Sequence, residues 1–240
     1  KIPYKMKLLG RIADILFPER LTCNICGREI FDGGYLCEEC AKTVIFNDKA
    51  TCPVCGRATR YPVLCLECKD KAPPYKKAVS ATVYDGGAAR LILSFKSGSP
   101  HLKRYFAELM EPKCRQLEGA DSICYVPMTA KAKRKRGYNQ SEILAKELSK
   151  RLHLPVIKDA VVKKRETKSQ KTLSFKDRAQ NLKGSFTAYK EKVSGKSIIL
   201  VDDVLTTGAT AETITRELLK KGAKCVYLAT VASVEFKRPL

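Results

Sequence analysis

The chain has 240 residues, of which 44% are hydrophobic, and its 46 Lys and Arg residues outnumber 25 acidic residues to give a formal net charge of +21. Such a charge does not determine a fold, but it attracts polyanions, including nucleic acid, phosphorylated small molecules and anionic membrane surfaces. No apolar run in the sequence approaches the ~18–20 residues that a membrane-spanning helix needs, and no secretory signal is visible. We therefore expect a packed cytoplasmic protein that makes no stable membrane insertion.

The first predicted element is an amphipathic helix at residues 1–20, which Pro18 ends. Its apolar residues recur at helical spacing: Leu8, Leu9, Ile12, Ile15 and Leu16. Such a helix can lie on a membrane surface or a partner, or it can cover a neighbouring domain of the same chain. Because the segment carries few basic residues for a membrane-surface helix, we favour packing within the chain.

Residues 21–74 form a predicted double zinc-ribbon module. Four Cys-x-x-Cys pairs lie here, and Gly27 and Gly56 follow two of them, where glycine permits a tight turn. Without an export signal, metal binding in a reducing compartment explains these cysteines better than disulfides do. Two pairs complete a tetrahedral site with no open position, which predicts two structural zinc ions, paired either in sequence order or interleaved. The predicted ligands are Cys23, Cys26, Cys37, Cys40, Cys52, Cys55, Cys65 and Cys68.

From Tyr75 onward, predicted strands alternate with predicted helices. The strands are expected at 78–84, 122–128, 197–203 and 225–231, and the helices at 88–98, 101–114, 139–152 and 209–221. This alternation predicts an α/β domain over residues 75–240, built on a doubly wound and mainly parallel sheet. Because ligands of such sheets bind at the carboxyl ends of the strands, functional residues are expected in the segments that follow each strand.

The sequence VPMTAKAKRKRGYNQ (126–140) leaves a predicted strand and enters a helix through a predicted basic loop. A run of like charge is often only a solvated face. At the carboxyl end of a strand, however, we favour a role in binding pyrophosphate or the phosphates of nucleic acid. The candidate residues are Lys131, Lys133, Arg134, Lys135 and Arg136.

The sequence IILVDDVLTTGAT (198–210) ends a buried strand on two carboxylates, Asp202 and Asp203. The turn that follows leads into a helix, whose free N–H groups and neighbouring hydroxyls form a cradle for an anion. Two carboxylates would repel a phosphate placed beside them, but they suit hydroxyl groups or Mg²⁺. Helix capping alone would explain a generic Asp-Asp-x-x-Thr pattern. The full string favours a ligand with both a phosphate and a vicinal diol, such as a ribose 5-phosphate.

This string closely resembles the signature of type I phosphoribosyltransferases, which bind 5-phosphoribosyl 1-pyrophosphate (PRPP). The resemblance implies that Asp202 and Asp203 are catalytic residues that bind the ribose hydroxyls. It also implies that the basic loop binds pyrophosphate and that the long polar segment 163–186 is a flexible lid over PRPP. It assigns the phosphate loop to Thr206, Thr207, Gly208, Ala209 and Thr210. The individual lid residues, Arg165, Thr167, Gln170, Arg178 and Asn181, are assigned by a second resemblance, to the lid pattern of the ComF family.

The chain as a whole resembles the ComF family of competence-associated proteins. Four features in order carry this resemblance over about residues 21–235: the Cys-x-x-Cys module, LILSFKSG (91–98), the segment VPM…RKRGYNQSEILA and the PRPP-type loop. The resemblance implies a protein of DNA uptake that binds PRPP with Mg²⁺, or a nucleotide 5′-phosphate. A helicase of the uptake machinery is a further expected partner. The basic charge favours binding of single-stranded DNA.

The alternative function is an active phosphoribosyltransferase, which would transfer the 5-phosphoribosyl group of PRPP to an unidentified base or amine. Thr206 stands where the enzymes of 6-oxopurine salvage carry an acidic residue. This difference argues against hypoxanthine or guanine as the acceptor.

Overall fold

A computed structural model describes residues 21–31, 33–165, 182 and 184–235. The helix predicted at residues 1–20 lies outside this part of the chain. The strands run in chain order as β1 (Lys77–Val83), β2 (Ser122–Tyr125), β3 (Val161–Lys163), β4 (Phe186–Ala188), β5 (Ser197–Leu205) and β6 (Cys225–Ser233). Four of them form a parallel sheet in the order β1-β6-β5-β2, and β3 pairs with β4 in a separate antiparallel sheet. The predicted α/β fold is confirmed.

Within the described residues, two short α-helices precede β1, and six further α-helices and one 3₁₀ turn (Pro100–Leu102) lie between the strands. The helices are α1 (Glu38–Ala41), α2 (Leu66–Asp70), α3 (Gly86–Lys96), α4 (Lys103–Cys114), α5 (Ala130–Arg136), α6 (Gln140–Leu152), α7 (Lys190–Val193) and α8 (Ala209–Lys220). Side-chain caps begin several of them, as when the Asp85 carboxylate accepts a hydrogen bond from the Gly86 N–H at the start of α3. None of the described helices is long and apolar enough to cross a membrane.

The basic segment was predicted as a loop, and that prediction is wrong, because most of it is the helix α5. Lys, Arg and Ala are strong helix formers. The Thr129 hydroxyl accepts a hydrogen bond from the Ala132 N–H at the start of the helix, and Gly137 ends it with φ at +89°. The predicted end of β5 is also too early. Asp202 and Val204 remain in register with β6, so the strand continues to Leu205.

Apolar side chains fill both faces of the parallel sheet. On one face, α3, α4 and α6 pack against β5 and β6 through Leu91, Phe95, Phe106, Met110, Leu144 and Leu148. On the other face, α8 packs through Ile214 and Leu218. Cysteines of the second Cys-x-x-Cys group belong to that same buried cluster, whereas those of the first group form a small cluster of their own. The second group is therefore part of the core of the α/β domain.

The segment between the two cysteine groups lies along the outer edge of β1. The Val83 N–H donates to the Ile45 carbonyl at 2.9 Å, and the Asn47 N–H donates to the Ala81 carbonyl at 2.9 Å. These bonds form a short antiparallel bridge beside a strand whose other side pairs with β6. The module is thereby joined to the sheet by backbone hydrogen bonds.

The second cysteine group also contacts the beginning of β1 directly. The Ala78 N–H donates to the Val54 carbonyl at 2.7 Å. The buried Asn47 amide donates to the Gly56 carbonyl at 2.7 Å. Gly56 has φ at +66°, and a Cβ added there would collide with the Ala78 carbonyl oxygen. This close approach requires glycine on steric as well as conformational grounds.

Gly27→Ala and Gly56→Ala form a matched pair that tests this approach. Both glycines have positive φ, but a Cβ at Gly27 would meet no atom within 4 Å. We expect Gly27→Ala to lower the free energy of unfolding by about 1–2 kcal/mol through the left-handed backbone alone. Gly56→Ala should cost about 2 kcal/mol more, because the backbone of β1 has to move. Thermal unfolding of the zinc-loaded variants measures both, and equal losses would contradict the close contact.

Candidate functional site

The two adjacent carboxylates near the end of β5 have different partners. The Asp202 Oδ1 accepts hydrogen bonds from the Ser141 hydroxyl and from the Asp203 N–H, both at 2.9 Å. The Asp203 carboxylate forms an ion pair with the Lys96 ammonium at 3.0 Å, with side chains 13% and 31% exposed. Ser141 lies in the first turn of α6 and Lys96 is the last residue of α3. Two helices on one face of the sheet thus fix both carboxylates.

Burial, followed by the neighbouring Asp203 charge, raises the pKa of Asp202 to about 7. The Ser141 hydroxyl, the Asp203 N–H and the Lys96 charge act in the opposite direction. The Asp202 carboxyl is consequently part protonated at neutral pH. It can act as a hydrogen-bond donor in one form and as an acceptor in the other, which suits contact with a hydroxyl group.

The predicted phosphate loop runs from the end of β5 into α8. Gly208 has φ at +83° and stands directly before Ala209, the first residue of α8. The Thr207 hydroxyl is buried and, among the described residues, has no hydrogen-bond partner. The first N–H groups of an α-helix have no acceptor within the helix, and the helix dipole favours an anion beside them. Asp202 lines the same small cavity as Thr206 and residues 208–210, so its carboxylate lies beside these donors. The phosphate-binding role of the loop stays a prediction.

The five predicted basic residues are all exposed on α5. Two have protein partners, because Lys133 pairs with Glu142 at 2.7 Å and Arg136 donates to the Gln140 side chain at 2.8 Å. A cavity of about 360 Å³ lies against this helix, and Lys96, Lys135 and Arg136 supply its positive charge. Since Lys96 also contacts Asp203, the cavity adjoins the carboxylate pair and can accommodate a group with several negative charges.

A second cavity, of about 490 Å³, lies between the second cysteine group and the phosphate loop. Arg57 and Glu67 form its wall on one side, and Thr206 and Thr207 on the other. Glu67, Asp85 and Glu235 are acidic, so this cavity differs in charge from the one beside α5. It suits a neutral or cationic group better than a phosphate.

Little of the predicted lid is described. Arg165 is exposed and lies two residues after the end of β3, whereas the predicted lid residues Thr167, Gln170, Arg178 and Asn181 lie outside the described residues. The pairing of β3 with β4 brings the two ends of the segment together. The lid assignment remains a prediction.

The eight paired cysteines form two groups, and each group follows the sequence order. Within each group the four sulfur atoms lie within 4.8 Å of one another. The Cys26–Cys37 sulfur atoms are 3.8 Å apart and those of Cys55 and Cys65 are 3.6 Å apart. Tetrahedral zinc with bonds of about 2.3 Å requires sulfur atoms roughly 3.8 Å apart. Both groups fit zinc ribbons, and the interleaved pairing is excluded.

Comparison with known proteins agrees with this architecture. The family model described as the double zinc ribbon domain matches residues 12–70, and the phosphoribosyl transferase domain matches residues 139–238. The DNA utilization protein YhgH of Escherichia coli K12 is 32% identical over 213 residues, covering 86% of this chain and 87% of that protein.

Competence protein F of Haemophilus influenzae is 32% identical over 169 residues, which cover 67% of this chain and 74% of that protein. The chain belongs to the ComF family. A shorter match joins this ComF protein to competence protein ComFC of Bacillus subtilis, at 32% identity over 97 residues, or 40% of this chain and 38% of that protein.

Three residues of this ComF protein contact the candidate site without having been predicted. Lys96 lies in LILSFKSG and Ser141 in NQSEILA, but nothing in the sequence shows that they reach Asp203 and Asp202. Arg57 directly follows Cys55-Gly56, as Arg28 follows Cys26-Gly27. Because the two arginines occupy equivalent positions in a repeated sequence, the sequence does not show that only Arg57 contacts the phosphate loop, through the Thr206 carbonyl.

The raised pKa of Asp202 predicts how binding of PRPP, the ligand expected from the sequence, would depend on pH. As the pH falls from 8 to 6, this carboxyl gains a proton and loses its charge, so affinity should fall by up to about tenfold if only the carboxylate form binds. In Asp202→Asn this contribution should be absent. Titration calorimetry across this range measures both proteins, and the phosphate pKa near 6 affects both alike. Parallel pH profiles would contradict the prediction.

Proposed function

We propose that this ComF protein binds PRPP with Mg²⁺ at the carboxyl end of β5 and binds single-stranded DNA with its basic surface. The observation that carries the proposal is the juxtaposition of the Asp202–Asp203 pair with two anion-binding features. One is the phosphate loop that enters α8, and the other is the basic cavity beside α5. The carboxylates would contact the ribose hydroxyls, the loop the 5′-phosphate and the basic cavity the pyrophosphate.

The arrangement of charge supports PRPP as the ligand. PRPP has a diol between two anionic groups, and this site has carboxylates between two sets of anion-binding donors. The buried Thr207 hydroxyl, which lacks a partner among the described residues, would gain one from the 5′-phosphate. Mg²⁺ in such sites takes one or two carboxylates together with phosphate oxygens, and Asp202 and Asp203 are the carboxylates available.

A role in DNA uptake is proposed from the relatives. One is named a competence protein and another a DNA utilization protein. The formal charge of +21 and the exposed basic face of α5 would supply an electrostatic affinity for the DNA backbone. Because α5 also lines the basic cavity, DNA and the pyrophosphate of PRPP would share part of one surface.

Active phosphoribosyl transfer is the second candidate, and the cavity of about 490 Å³ beside Thr206 and Thr207 favours it. An acceptor held there would lie close to the ribose. Its nitrogen would form a bond to C1 while the bond from C1 to pyrophosphate breaks, and a carboxylate of the cavity would take the released proton. Lys96, Lys135 and Arg136 would stabilise the negative charge of the departing pyrophosphate.

Titration of PRPP and Mg²⁺ into the zinc-loaded protein tests the ligand. At pH 8, where Asp202 is mostly ionised, we expect Asp202→Asn and Asp203→Asn each to weaken binding by about 10- to 100-fold, since each removes a charged acceptor worth about 1.5–3 kcal/mol. Asp48→Asn is the matched control, because Asp48 also pairs with a lysine, Lys113, at 2.9 Å but lies outside the site. Absence of PRPP binding to the wild-type protein would reject the proposal.

Salt-dependent binding of single-stranded DNA tests the basic surface. We expect the triple variant Lys131→Gln, Arg134→Gln and Lys135→Gln to lower the slope of log affinity against log salt by about 2. The control is Lys220→Gln, Lys221→Gln and Lys224→Gln, which removes the same charge near the end of α8. An equal decrease of the slope in both variants would show that DNA affinity depends on the total charge of the protein and not on the α5 surface.

A further inference from the structure

The two zinc ribbons share a short sequence, but its last residue, an arginine, is exposed in the first ribbon and buried in the second. Both contain Cys-x-x-Cys-Gly-Arg, which ends at Arg28 in the first ribbon and at Arg57 in the second. Arg28 is exposed, whereas Arg57 is only 4% exposed. A guanidinium keeps its charge at every physiological pH, and a buried charge has to be compensated by partners.

The partners of Arg57 come from two parts of the molecule. Its Nη1 forms an ion pair with the Glu67 carboxylate, which belongs to the same ribbon. Its Nη2 donates a hydrogen bond to the backbone carbonyl of Thr206, the first residue of the phosphate loop. A residue of the metal module is therefore bonded to the loop that is proposed to receive the 5′-phosphate.

The backbone that carries Arg57 has little freedom to move. Cys55 is a metal-site residue two positions earlier, and the Gly56 carbonyl accepts a hydrogen bond from the buried Asn47 amide. The Val54 carbonyl is bonded to the Ala78 N–H of β1. Because the guanidinium is planar and bonds in two directions at once, the position of the ribbon determines the position of the Thr206 carbonyl.

We propose that Arg57 is a positioning residue that couples the second zinc site to the phosphate loop. With zinc in the second ribbon, Arg57 holds the Thr206 carbonyl and fixes the loop in the conformation that receives a phosphate. Without zinc in the second ribbon, the phosphate loop is less ordered and the affinity of the protein for ribose phosphates falls. The first ribbon lacks a buried arginine at the equivalent position, so its zinc does not have this effect. The inference rests on the proposed phosphate-binding function of the loop.

The matched arginines provide the test. We expect Arg57→Met to weaken PRPP binding about tenfold and Arg28→Met to change it by less than twofold. Arg57→Lys should be intermediate, because one ammonium cannot replace the two-directional contact. Glu67→Gln, compared with Glu39→Gln at the equivalent position of the first ribbon, should also weaken binding. Zinc content should stay at two ions per chain in each variant.

Hydrogen exchange of residues 204–211 supplies a readout that does not need the ligand. We expect the backbone amides of this segment to exchange faster in Arg57→Met than in Arg28→Met, with exchange in β1 and β6 unchanged. Cys52→Ser and Cys23→Ser extend the comparison to the metal, since each removes a ligand from one ribbon. The Cys52→Ser variant should show the faster loop exchange, and the Cys23→Ser variant should resemble the wild type.

Two outcomes would overturn the coupling. One is equal PRPP affinity and equal loop exchange in Arg57→Met and Arg28→Met. The other is loss of affinity that is accompanied by faster exchange throughout the domain, which would mean a general loss of stability. If Arg57→Met does not fold, Arg57→Lys and Glu67→Gln decide in its place. If the wild-type protein does not bind PRPP, the proposed function fails, and the exchange comparison still decides whether the ribbon orders the loop.

Discussion

Zinc ribbons bury too little apolar surface to hold a fixed orientation unaided, and in this chain the backbone pairing of residues 45–47 with β1 supplies that orientation. The same pairing brings Asn47 into contact with Gly56 and places the second ribbon on the core beneath α8. Once the ribbon is fixed there, Arg57 is buried against the end of β5. The second ribbon therefore forms one side of the cavity at the candidate site, through Arg57 and Glu67, and is not a separate appended domain.

The parallel sheet accounts for how residues distant in sequence meet. Parallel strands place their carboxyl ends at one edge. That edge collects the acids of β5, the basic helix after β2 and the loop that enters α8. The protein is strongly basic, yet it keeps a partly buried acidic pair, for which Lys96 and Ser141 provide partners. The charges are therefore arranged locally, and the net charge gives no indication of this arrangement.

Patterns that involve neighbouring residues were predictable from the sequence, and contacts across the fold were not. The four strands of the parallel sheet, the main helices, the cysteine groups and the position of Asp202 and Asp203 at the end of a strand follow from periodicity and spacing, whereas β3 and β4 were not predicted. The helix α5 was missed because a run of charge was read as a loop, although its caps, Thr129 and Gly137, are visible in the sequence. The Lys96–Asp203 pair spans more than one hundred residues and depends on how α3 lies on the sheet. Arg28 and Arg57 show the limit most clearly, since identical local sequence gives one exposed and one buried side chain.

The segments that pair with the outer strands have a consequence for solubility. A sheet edge with free N–H and C=O groups can recruit a strand from another molecule, which leads to aggregation or domain swapping. Here residues 45–47 cover the free edge of β1, and the bridge between Val156 and Ile123 covers β2 at the other side. The two segments that cover these edges each form only an isolated bridge, so neither offers a regular strand to which another molecule could add. A zinc module that shields one sheet edge thus also acts against self-association by strand addition.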